Sequence, residues 1–428
     1  MSVDTIFAVA SGAPPAALAI VRVSGPHAFA AARALAGALP PNRMAALRTI
    51  RHATTDEVLD HAVVVTFAGP HSATGDDVVE LHLHGGRAVV AAVLAGLTAL
   101  PGLRAAEPGE FTRRALSNGR IDLAEAEGLA DLLEAQTERQ RRAAMRSVEG
   151  RLSAAVTGWT AQLLQLAARV EALLDFADEE DVGEVIDPAT AAALASLIAD
   201  IDRVLTAPPV ERLRDGVRVV LAGPRNAGKS TLFNALVERE AAIVSPVAGT
   251  TRDIVEAAVV RRGIAYVIAD TAGLVDETDD VIEAIGIGRA RAATAAADIV
   301  LWLGDARPPV ADRSLWLYPQ SDARPPPADS ERIALSAVTG EGVPALWEAI
   351  EARATSLLPA EDQLALNARQ RALCHRCRDA LTQARVEQDL LLIAENLRVA
   401  RVALDEITGR AGVESVLDAL FARFCIGK

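Results

Sequence analysis

One run of residues, GPRNAGKS from Gly223 to Ser230, has the types and spacing that bind the phosphates of a nucleotide. It follows the apolar run VRVVLA and precedes TLFNALVE, which predicts a strand, a loop and then a helix. In that setting glycines let backbone N–H groups face phosphate oxygens, Lys229 brings a positive charge, and Ser230 offers a hydroxyl to Mg²⁺. The predicted nucleotide contacts of this loop are Asn226, Ala227, Gly228, Lys229, Ser230 and Thr231.

Two further runs follow in an order that strengthens the prediction. AGTTRD contains Thr250 and Thr251, and a threonine here can complete the Mg²⁺ shell, so Ser230 and Thr251 are the predicted magnesium ligands. DTAG begins with Asp270, which can hold the magnesium through water, and ends with Gly273, whose N–H can reach the γ-phosphate. The predicted nucleotide contacts of this region are Ser245, Pro246 and Val247, which precede AGTTRD, and Ala248, Gly249, Thr250, Thr251, Asp270, Thr271, Ala272 and Gly273 in the two runs.

Leu274 stands where many GTPases carry a glutamine that orients the attacking water. A leucine side chain cannot orient water. The sequence therefore predicts either very slow hydrolysis or another device that orients the water.

The segment expected to recognise the base departs from the usual pattern. Asn-Lys-x-Asp is usual after this strand, but the chain has Pro319, Gln320, Ser321 and Asp322. Asp322 can still accept hydrogen bonds from guanine, and the backbone at Ser336 and Ala337 is the other predicted base contact. The ordered set of motifs favours GTP over ATP. The sequence leaves open how the change affects guanine affinity and specificity.

Composition limits the elements that must position these residues. The chain has 428 residues, of which 23 % are charged and 51 % apolar, which is typical of two or three globular domains. It has no apolar run of about 20 residues, as a membrane helix requires, and the start of the chain does not resemble a signal peptide. Three cysteines favour a reducing compartment, so we expect the cytoplasm. The net charge of −14 argues against a surface covered with basic groups for nucleic acid, while a local basic patch stays an open alternative.

Hydrophobic periodicity predicts a multidomain protein with α/β and all-α parts. Residues 1–118 mix strands and helices (α+β), residues 119–212 and 358–428 carry helical spacing, and residues 213–357 alternate strands with helices. Alternation of that kind predicts parallel strands. The simplest architecture is one helical domain built from two segments, with a P-loop α/β domain inserted between them.

Histidines and cysteines give weaker signals. His82 and His84 are two apart on a predicted strand and share a face, so metal binding is an open alternative to a role in lining a site. Cys374 and Cys377 lack a second pair for zinc and are predicted to be incidental cysteines of a helix. Cys425 lies in the ending FARFCIGK, which does not fit a prenylation signal. We expect the apolar stripe from Val413 to Phe424 to dock this tail on the helical domain.

The chain resembles the MnmE (TrmE) family of tRNA-modification GTPases, members of the TrmE-Era-EngA-EngB-Septin-like G proteins that lack the catalytic glutamine. The resemblance covers nearly the whole chain. It is carried by GPRNAGKSTLFNAL, IVSPVAGTTRDIVE and DTAG, and by ATGDDVVELHLHGG, EPGEFTRRALSNGRIDLAEAEGLADLLEAQT and FCIGK.

The resemblance implies a function and partners. The N-terminal domain of the family binds 5-formyl- or 5,10-methylene-tetrahydrofolate and forms a homodimer. With the flavoprotein MnmG (GidA), which brings FAD and NADH, it forms a heterotetramer that installs an aminomethyl or carboxymethylaminomethyl group on C5 of the wobble uridine of certain tRNAs. GTP hydrolysis is promoted when two G domains meet around K⁺. No membrane partner is implied.

The resemblance also implies residue roles. Glu283 matches the glutamate that positions the attacking water, although a solvated glutamate at a helix start is the alternative. Cys425 is a candidate for the tRNA-modification chemistry, with a packed cysteine as the alternative. The predicted potassium ligands are Asn226, Ser245, Val247 and Thr250, and the predicted folate-binding residues are Arg22, Glu80, Arg120 and Lys428.

Two other functions compete with this interpretation. One is a GTP-dependent binding switch in ribosome assembly, which explains the phosphate motifs but neither the N-terminal motifs nor the cysteine tail. The other is a G protein that has lost hydrolysis through its altered base-recognition segment. The sequence does not identify the tRNAs served, the final substituent, the chemical role of Cys425 or the orientation of the G domains.

Overall fold

The computed structural model describes residues 4–175, 187–224, 226–238, 255–271, 292–325, 331–412 and 414–427. The described residues fall into two compact units. Unit 1 is drawn from Met1–Ala130, Ser147–Thr160 and Arg401–Lys428, and unit 2 from Asp131–Arg146 and Ala161–Ala400. The domain boundaries expected from the sequence stay a prediction.

Unit 1 is built on a six-stranded sheet in the order β3-β4-β5-β2-β1-β6. Its pairs are antiparallel except for β1 with β6, which is parallel. The strands are β1 (Thr5–Val9), β2 (Leu18–Ser24), β3 (Ala45–Arg51), β4 (Val58–Phe67), β5 (Val78–His84) and β6 (Leu103–Ala105). The sequence patterns predicted β2, β4 and β5. They missed β1, β3 and β6. The few large apolar residues of β3 give little alternating signal.

One face of this sheet is buried and the other carries the polar residues of interest. Phe7, Val21, Leu81 and Leu83 belong to the core on the buried face, together with helix residues such as Leu97. Since side chains alternate along a strand, Glu80, His82 and His84 of β5 share the opposite, less buried face. The helices between the strands are α1 (Ala28–Ala36), α2 (Arg87–Thr98) and α3 (Glu110–Ser117).

Helices follow over most of the span predicted to be helical. They are α4 (Leu123–Glu134), α5 (Glu138–Val148), α6 (Arg151–Asp175), α7 (Pro188–Leu205) and α8 (Glu211–Arg214). Asp187 caps α7, since its carboxylate accepts from the backbone N–H groups of Ala189 and Thr190. The acidic loop expected after Asp175 lies almost entirely outside the described residues.

Unit 2 contains a second six-stranded sheet in the order β12-β11-β10-β7-β9-β8. The strands are β7 (Val217–Ala222), β8 (Val255–Arg261), β9 (Ile264–Asp270), β10 (Ile299–Trp302), β11 (Ser314–Tyr318) and β12 (Ile333–Ala334). Helix α9 (Lys229–Glu238) follows β7, and α10 (Val343–Leu357) follows β12. The helices after this sheet are α11 (Ala368–Val386), α12 (Leu390–Thr408) and α13 (Glu414–Phe421).

The five strands predicted in this region pair in parallel, as expected, but the structure differs from the prediction in two features, a strand that was not predicted and a missing helix. β8 is antiparallel to β9, because Arg262 and Gly263 join the two strands in a two-residue turn with φ of +47° and +77°. Between β10 and β11 the chain forms only the short 3₁₀ helix Ala311–Arg313. Pro308 and Pro309 lie in that connection and cannot donate the N–H that a helix interior needs.

None of the described helices is long and apolar enough to cross a membrane.

A buried ion network joins the ends of the sheet of unit 1 to α3. Arg104 donates to both carboxylate oxygens of Glu110, at 2.8 and 2.5 Å, and Arg114 donates to the same carboxylate at 3.1 Å. Arg114 also donates to the Asp4 carboxylate at 2.8 Å. Burial raises the pKa of Glu110, but the hydrogen bonds from Arg104, the Glu107 amide and Arg114 outweigh it and hold that pKa below its ordinary value.

This network predicts an acid-sensitive step in the unfolding of unit 1. Because the pKa of Glu110 is lower in the folded state, its contribution is present above the unfolded pKa of about 4.3 and is lost as the pH falls further. We expect Glu110→Gln to reduce stability near neutral pH by about 2 kcal/mol and to flatten the acid dependence. Hydrogen exchange of β1, β6 and α3 at increasing urea measures both effects.

Glu138→Gln is the matched control, since Glu138 also pairs with two arginines but is fully exposed. It should leave stability nearly unchanged. An equal loss in both variants would contradict a special role for the buried network.

Candidate functional site

The predicted phosphate loop lies between β7 and α9, at the carboxyl end of the central strand. Asn226 has φ of +61° and Gly228 φ of +89°. Left-handed residues in such a loop turn backbone N–H groups toward a common point, which is the geometry that receives an anion. Gly223 has φ of +150°, and a Cβ there would lie 3.2 Å from the Leu303 backbone, so glycine is favoured by both its backbone and its surroundings. The structure therefore gives this run the conformation that its sequence predicts.

Lys229 begins α9 and is only 6 % exposed. Its Nζ donates to the carbonyl oxygens of Gly223, at 3.1 Å, and Pro224, at 2.8 Å. Burial lowers the pKa of the ammonium, and the nearby Asp270 carboxylate opposes that shift. Because the charge costs free energy when it is buried, a phosphate beside it would be a strong stabilising partner.

Ser230, one of the two predicted magnesium ligands, lies beside Asp270, which is predicted to hold the ion through water. The Ser230 hydroxyl donates to Asp270 Oδ2 at 2.6 Å, and Oδ1 of Asp270 is buried without a hydrogen-bond partner among the described residues. A hydroxyl and a carboxylate are the hard oxygen ligands that Mg²⁺ prefers, so these residues fit the ion. Thr271 is fully buried and donates to the Leu221 carbonyl at 2.6 Å, which anchors the start of DTAG on β7.

The two predicted base-recognition segments lie side by side. The Ser321 N–H donates to the Leu335 carbonyl at 3.1 Å, and the Leu335 N–H donates to Tyr318 at 3.0 Å. Asp322 follows in an exposed turn. Ser336 is fully buried, and its hydroxyl accepts from the Thr339 N–H at 3.1 Å. Asp322 and the backbone at Ser336 and Ala337 are thus held at one end of the sheet.

Several predicted residues lie outside the described residues, and their roles stay predictions. They are Ser245, Pro246, Val247, Ala248, Gly249, Thr250, Thr251, Ala272, Gly273, Leu274, Glu283 and Lys428.

Arg22 and Glu80 form a direct pair on the less buried face of the first sheet. They are opposite residues of β2 and β5, and Arg22 Nε and Nη2 lie 3.0 and 2.8 Å from Glu80 Oε1. The guanidinium also lies 5.8 Å from the ring centroid of Phe111 in α3. The other carboxylate oxygen lies 3.3 Å from Nε2 of His82. The predicted folate residues Arg22 and Glu80 are therefore neighbours in space.

His84 is bound by a different carboxylate. Its Nδ1 lies 2.7 Å from Asp60 Oδ1, and its backbone N–H donates to Asp60 Oδ2 at 2.8 Å. The hydrogen bonds outweigh the burial of Asp60 and lower its pKa. Among the described residues no group of three His, Cys, Asp or Glu side chains could hold a metal ion.

Arg120 lies in a different setting from the Arg22–Glu80 pair. Its Nε donates to the Ser72 carbonyl at 3.1 Å. It also lines a cleft of about 350 Å³ together with Glu125, Thr408 and Arg410. Burial raises the pKa of Glu125. A role for Arg120 in binding folate stays a prediction.

The tail that carries Cys425 is docked within unit 1. Phe421 and Phe424 are buried in a cluster with Leu123 and Ala126 of α4, as the apolar stripe predicts, although Val413 and the side chain of Val416 are not described. Ile426 pairs with Pro108 in an antiparallel bridge. A Cβ on Gly427, whose φ is +99°, would lie 2.1 Å from the Val9 carbonyl oxygen, so the backbone there lies directly against β1.

Docking brings the tail close to the row of opposite residues in β1, β2 and β5 that contains Arg22. Val9 pairs with Val21, and the preceding residue Ala8 pairs with Arg22. Cys425 itself is exposed, unlike Cys374 and Cys377. Burial raises the pKa of both helix thiols to about 12, which makes them poor nucleophiles. Cys425 is therefore the accessible thiol.

Comparison with known proteins agrees with this geometry. The family model described as the MnmE helical domain matches residues 123–425, and that of the GTP-binding protein TrmE N-terminus matches residues 5–120. The tRNA modification GTPase MnmE of Rhizorhabdus wittichii is 56 % identical, covering 99 % of this chain and 97 % of the relative. Its counterpart in Erythrobacter litoralis is 55 % identical, covering 99 % and 100 %.

Part of the chain is also similar to a solved structure, that of Era from Aquifex aeolicus bound to GDP and AlF₄⁻. That likeness is limited, with 22 % identity, a TM-score of 0.26, and coverage of 38 % of this chain and 66 % of the other.

The two family models together match nearly all of the chain, and the relatives are similar from end to end. The phosphate loop, the Ser230–Asp270 pair and Cys425 lie within the matched residues. The chain therefore belongs to the MnmE (TrmE) family of tRNA modification GTPases.

Proposed function

We propose that this chain is the GTP-hydrolysing component of a complex, formed with the flavoprotein MnmG (GidA), that modifies C5 of the wobble uridine in certain tRNAs. The product carries an aminomethyl or carboxymethylaminomethyl group whose one-carbon unit comes from the folate. The observation that carries the proposal is the docking of the Cys425 tail against β1, beside the Arg22–Glu80 pair, in a chain that also has a formed phosphate loop.

The phosphate loop supports the hydrolytic half of the proposal. Lys229 would exchange its two backbone carbonyl partners for phosphate oxygens, which relieves the cost of its burial. Ser230 and Thr251 would hold Mg²⁺, with Asp270 acting through water, and the ion would supply positive charge to the β- and γ-phosphates. Asp322, Ser336 and Ala337 would select guanine, since the segments that carry them lie side by side.

Hydrolysis without a glutamine needs another source of positive charge near the phosphates. We assign that role to K⁺, which would be held by Asn226 with Ser245, Val247 and Thr250 when two G domains meet. Glu283 would position the attacking water, which Leu274 cannot do. The left-handed backbone of Asn226 supports this assignment, because it places that residue at the bend of the phosphate loop.

The first sheet supports the folate half. Arg22 and Glu80 offer a cation and a carboxylate on an accessible face. The carboxylates of a folate suit the cation, and its amide N–H groups suit the carboxylate. Arg120 and Lys428 are the other proposed contacts with 5-formyl- or 5,10-methylene-tetrahydrofolate. Cys425 would then act in the tRNA chemistry rather than in GTP hydrolysis.

The same face supports a homodimer. Leu47, Val63 and Leu18 are exposed there, and Leu47, Val63 and His82 are consecutive partners across β3, β4 and β5. An exposed apolar row of this kind is a usual feature of a protein interface. We propose a cytoplasmic homodimer that joins MnmG in a heterotetramer, with FAD and NADH bound by MnmG and tRNA as the shared substrate.

Wobble-uridine nucleosides test the main proposal. In a strain that lacks this gene, we expect liquid chromatography with mass spectrometry to show loss of the C5-substituted uridines, because their synthesis requires the complex. The wild-type gene should restore them and a Lys229→Ala variant should not. Unchanged nucleosides in the deletion strain would reject the tRNA role and favour a switch in ribosome assembly.

Potassium dependence tests the hydrolytic mechanism. Asn226→Gly removes the side chain while suiting φ of +61°, so the loop should keep its shape. We expect GTP turnover in K⁺ to fall by about 100-fold, to the level seen in Na⁺ at equal ionic strength, while nucleotide affinity changes little. Persistent stimulation by K⁺ in the variant would contradict the assignment, and absence of hydrolysis in the wild type would favour a G protein that has lost it.

The position of the tail predicts that a mutation there can remove tRNA modification without affecting GTP hydrolysis. Cys425→Ser should abolish tRNA modification and leave the GTPase rate intact, because the thiol lies on the first sheet and not at the phosphate loop. Gly427→Ala should do the same by undocking the tail, since its Cβ cannot fit beside Val9. Native thiol labelling should detect Cys425 and spare the buried Cys374 and Cys377. Modification that survives Cys425→Ser would make the cysteine structural.

A further inference from the structure

An exposed histidine and a buried carboxylate lie together at the end of β5. The side chain of His84 is 71 % exposed and that of Asp60 only 7 %. Nδ1 of His84 lies 2.7 Å from Asp60 Oδ1, and the His84 backbone N–H donates to Asp60 Oδ2 at 2.8 Å. The backbone N–H of His61 also donates to Oδ1, at 2.7 Å. The carboxylate is thus held by the backbone on two sides, and it holds one edge of the exposed ring.

The Asp60 carboxylate determines which nitrogen of His84 carries the proton. Burial raises the pKa of Asp60, but hydrogen bonds from the His84 ring and from the backbone N–H groups of His84 and His61 outweigh it and hold that pKa below its ordinary value. An ionised carboxylate can only accept hydrogen bonds, so Nδ1 is the nitrogen that donates. Nε2 of the neutral ring therefore keeps an open lone pair, and it forms no hydrogen bond with the described part of the chain.

The strand end that carries His84 is held firmly by its neighbours. A Cβ on Gly85, the next residue, would lie 2.2 Å from the Ala16 carbonyl oxygen. The Ala16 N–H donates to the Gly85 carbonyl at 3.1 Å, and the Gly85 N–H donates to the Ala17 carbonyl at 3.4 Å. The backbone is therefore bonded both at His84 and directly after it. Support of this kind suits a side chain that must meet a reacting atom in a defined position.

We infer that His84 is the general base of the tRNA modification and that Asp60 is the residue that positions it. The inference rests on the proposed function. Glu80 and His84 lie on the same strand, about 13 Å apart, because a strand rises about 3.3 Å per residue. This separation leaves room for a uracil ring between the Arg22–Glu80 pair and Nε2.

Substitution at C5 of a uracil requires that a proton leave that carbon. The π electrons of the C5–C6 double bond form the new bond to an electrophilic one-carbon unit. The C5–H bond then breaks, its electron pair restores the double bond, and the proton goes to Nε2 of His84. The Asp60 carboxylate stabilises the imidazolium that results, which afterwards returns the proton to water. The step needs no oxidant or reductant.

Rates of tRNA modification by the complex reconstituted with the full chain test the inference. His84→Asn places an amide nitrogen where Nδ1 lies, so it keeps the bond to Asp60 and removes only Nε2. We expect kcat for modification to fall by about 100-fold, while the KM for tRNA and the rate of GTP hydrolysis stay unchanged. Asp60→Asn should lower kcat by about tenfold, and it should cause no further loss in His84→Asn, since Asp60 acts through His84.

Two measurements separate proton transfer from a structural role. In His84→Ala, added imidazole should restore part of the modification rate, because it can occupy the vacated space and accept the proton. In the wild-type chain, diethyl pyrocarbonate should acylate the exposed, unprotonated Nε2 of His84, and bound tRNA should protect it, as mass spectrometry of the peptides measures. His61→Asn is the matched control, because His61 is also exposed but its Nδ1 lies 3.2 Å from the Thr49 hydroxyl, not from a carboxylate. It should modify tRNA at the wild-type rate.

The outcomes distinguish this inference from the function on which it rests. A wild-type kcat in His84→Asn would overturn the inference, as would a loss in His84→Ala that imidazole does not relieve or a His84 that tRNA does not protect. If Cys425→Ser abolishes modification while His84→Asn leaves it intact, the proposed function stands and the inference fails. A wild-type complex that modifies no tRNA would refute the proposed function together with the inference.

Discussion

The parallel pairing of β7 with its two neighbours is the constraint on which the nucleotide site depends. Leu221 of β7 is opposite Asp270 of β9, and Ala222 is opposite Trp302 of β10. Since parallel strands end at the same edge of a sheet, the phosphate loop and DTAG must meet there. The bond from Thr271 to Leu221 and that from Ser230 to Asp270 follow from this register. A slip of one residue would separate both pairs.

Charge gives the site its affinity for anions in a chain whose net charge is −14. A strongly acidic chain repels phosphate at long range, so binding depends on groups placed within a few ångströms. Lys229 supplies one such group, and its burial strengthens the attraction because solvent screens it poorly. The same reasoning explains why an added cation near the phosphates would have a large effect in a site that lacks a catalytic glutamine.

The first unit shows how a sheet face can be kept available for chemistry. Antiparallel strands can leave one face accessible, and here that face carries Arg22, Glu80 and His82 in adjacent rows. The helical tail approaches the β1 side of the same sheet, where Gly427 allows the backbone to lie against Val9. A chain segment far away in sequence, which carries the exposed Cys425, thereby lies against the strand that neighbours the one carrying Arg22. The Glu110 network holds the neighbouring strand ends in place.

The sequence by itself determined the chemistry of the phosphate loop, the docking stripe of the tail, and the strands β2, β4, β5, β7, β9, β10, β11 and β12. These features depend on local composition, in which glycine spacing, alternation and helical periodicity are direct consequences of backbone geometry. Only the tertiary structure decided the antiparallel β8, the missing helix before β11 and the pairing of Arg22 with Glu80. It also decided the left-handed backbone of Gln320, whose Nε2 lies 4.0 Å from the position of a Cβ on Gly228. Each of these depends on which distant backbone groups pair or on a single φ angle, and a local pattern specifies neither.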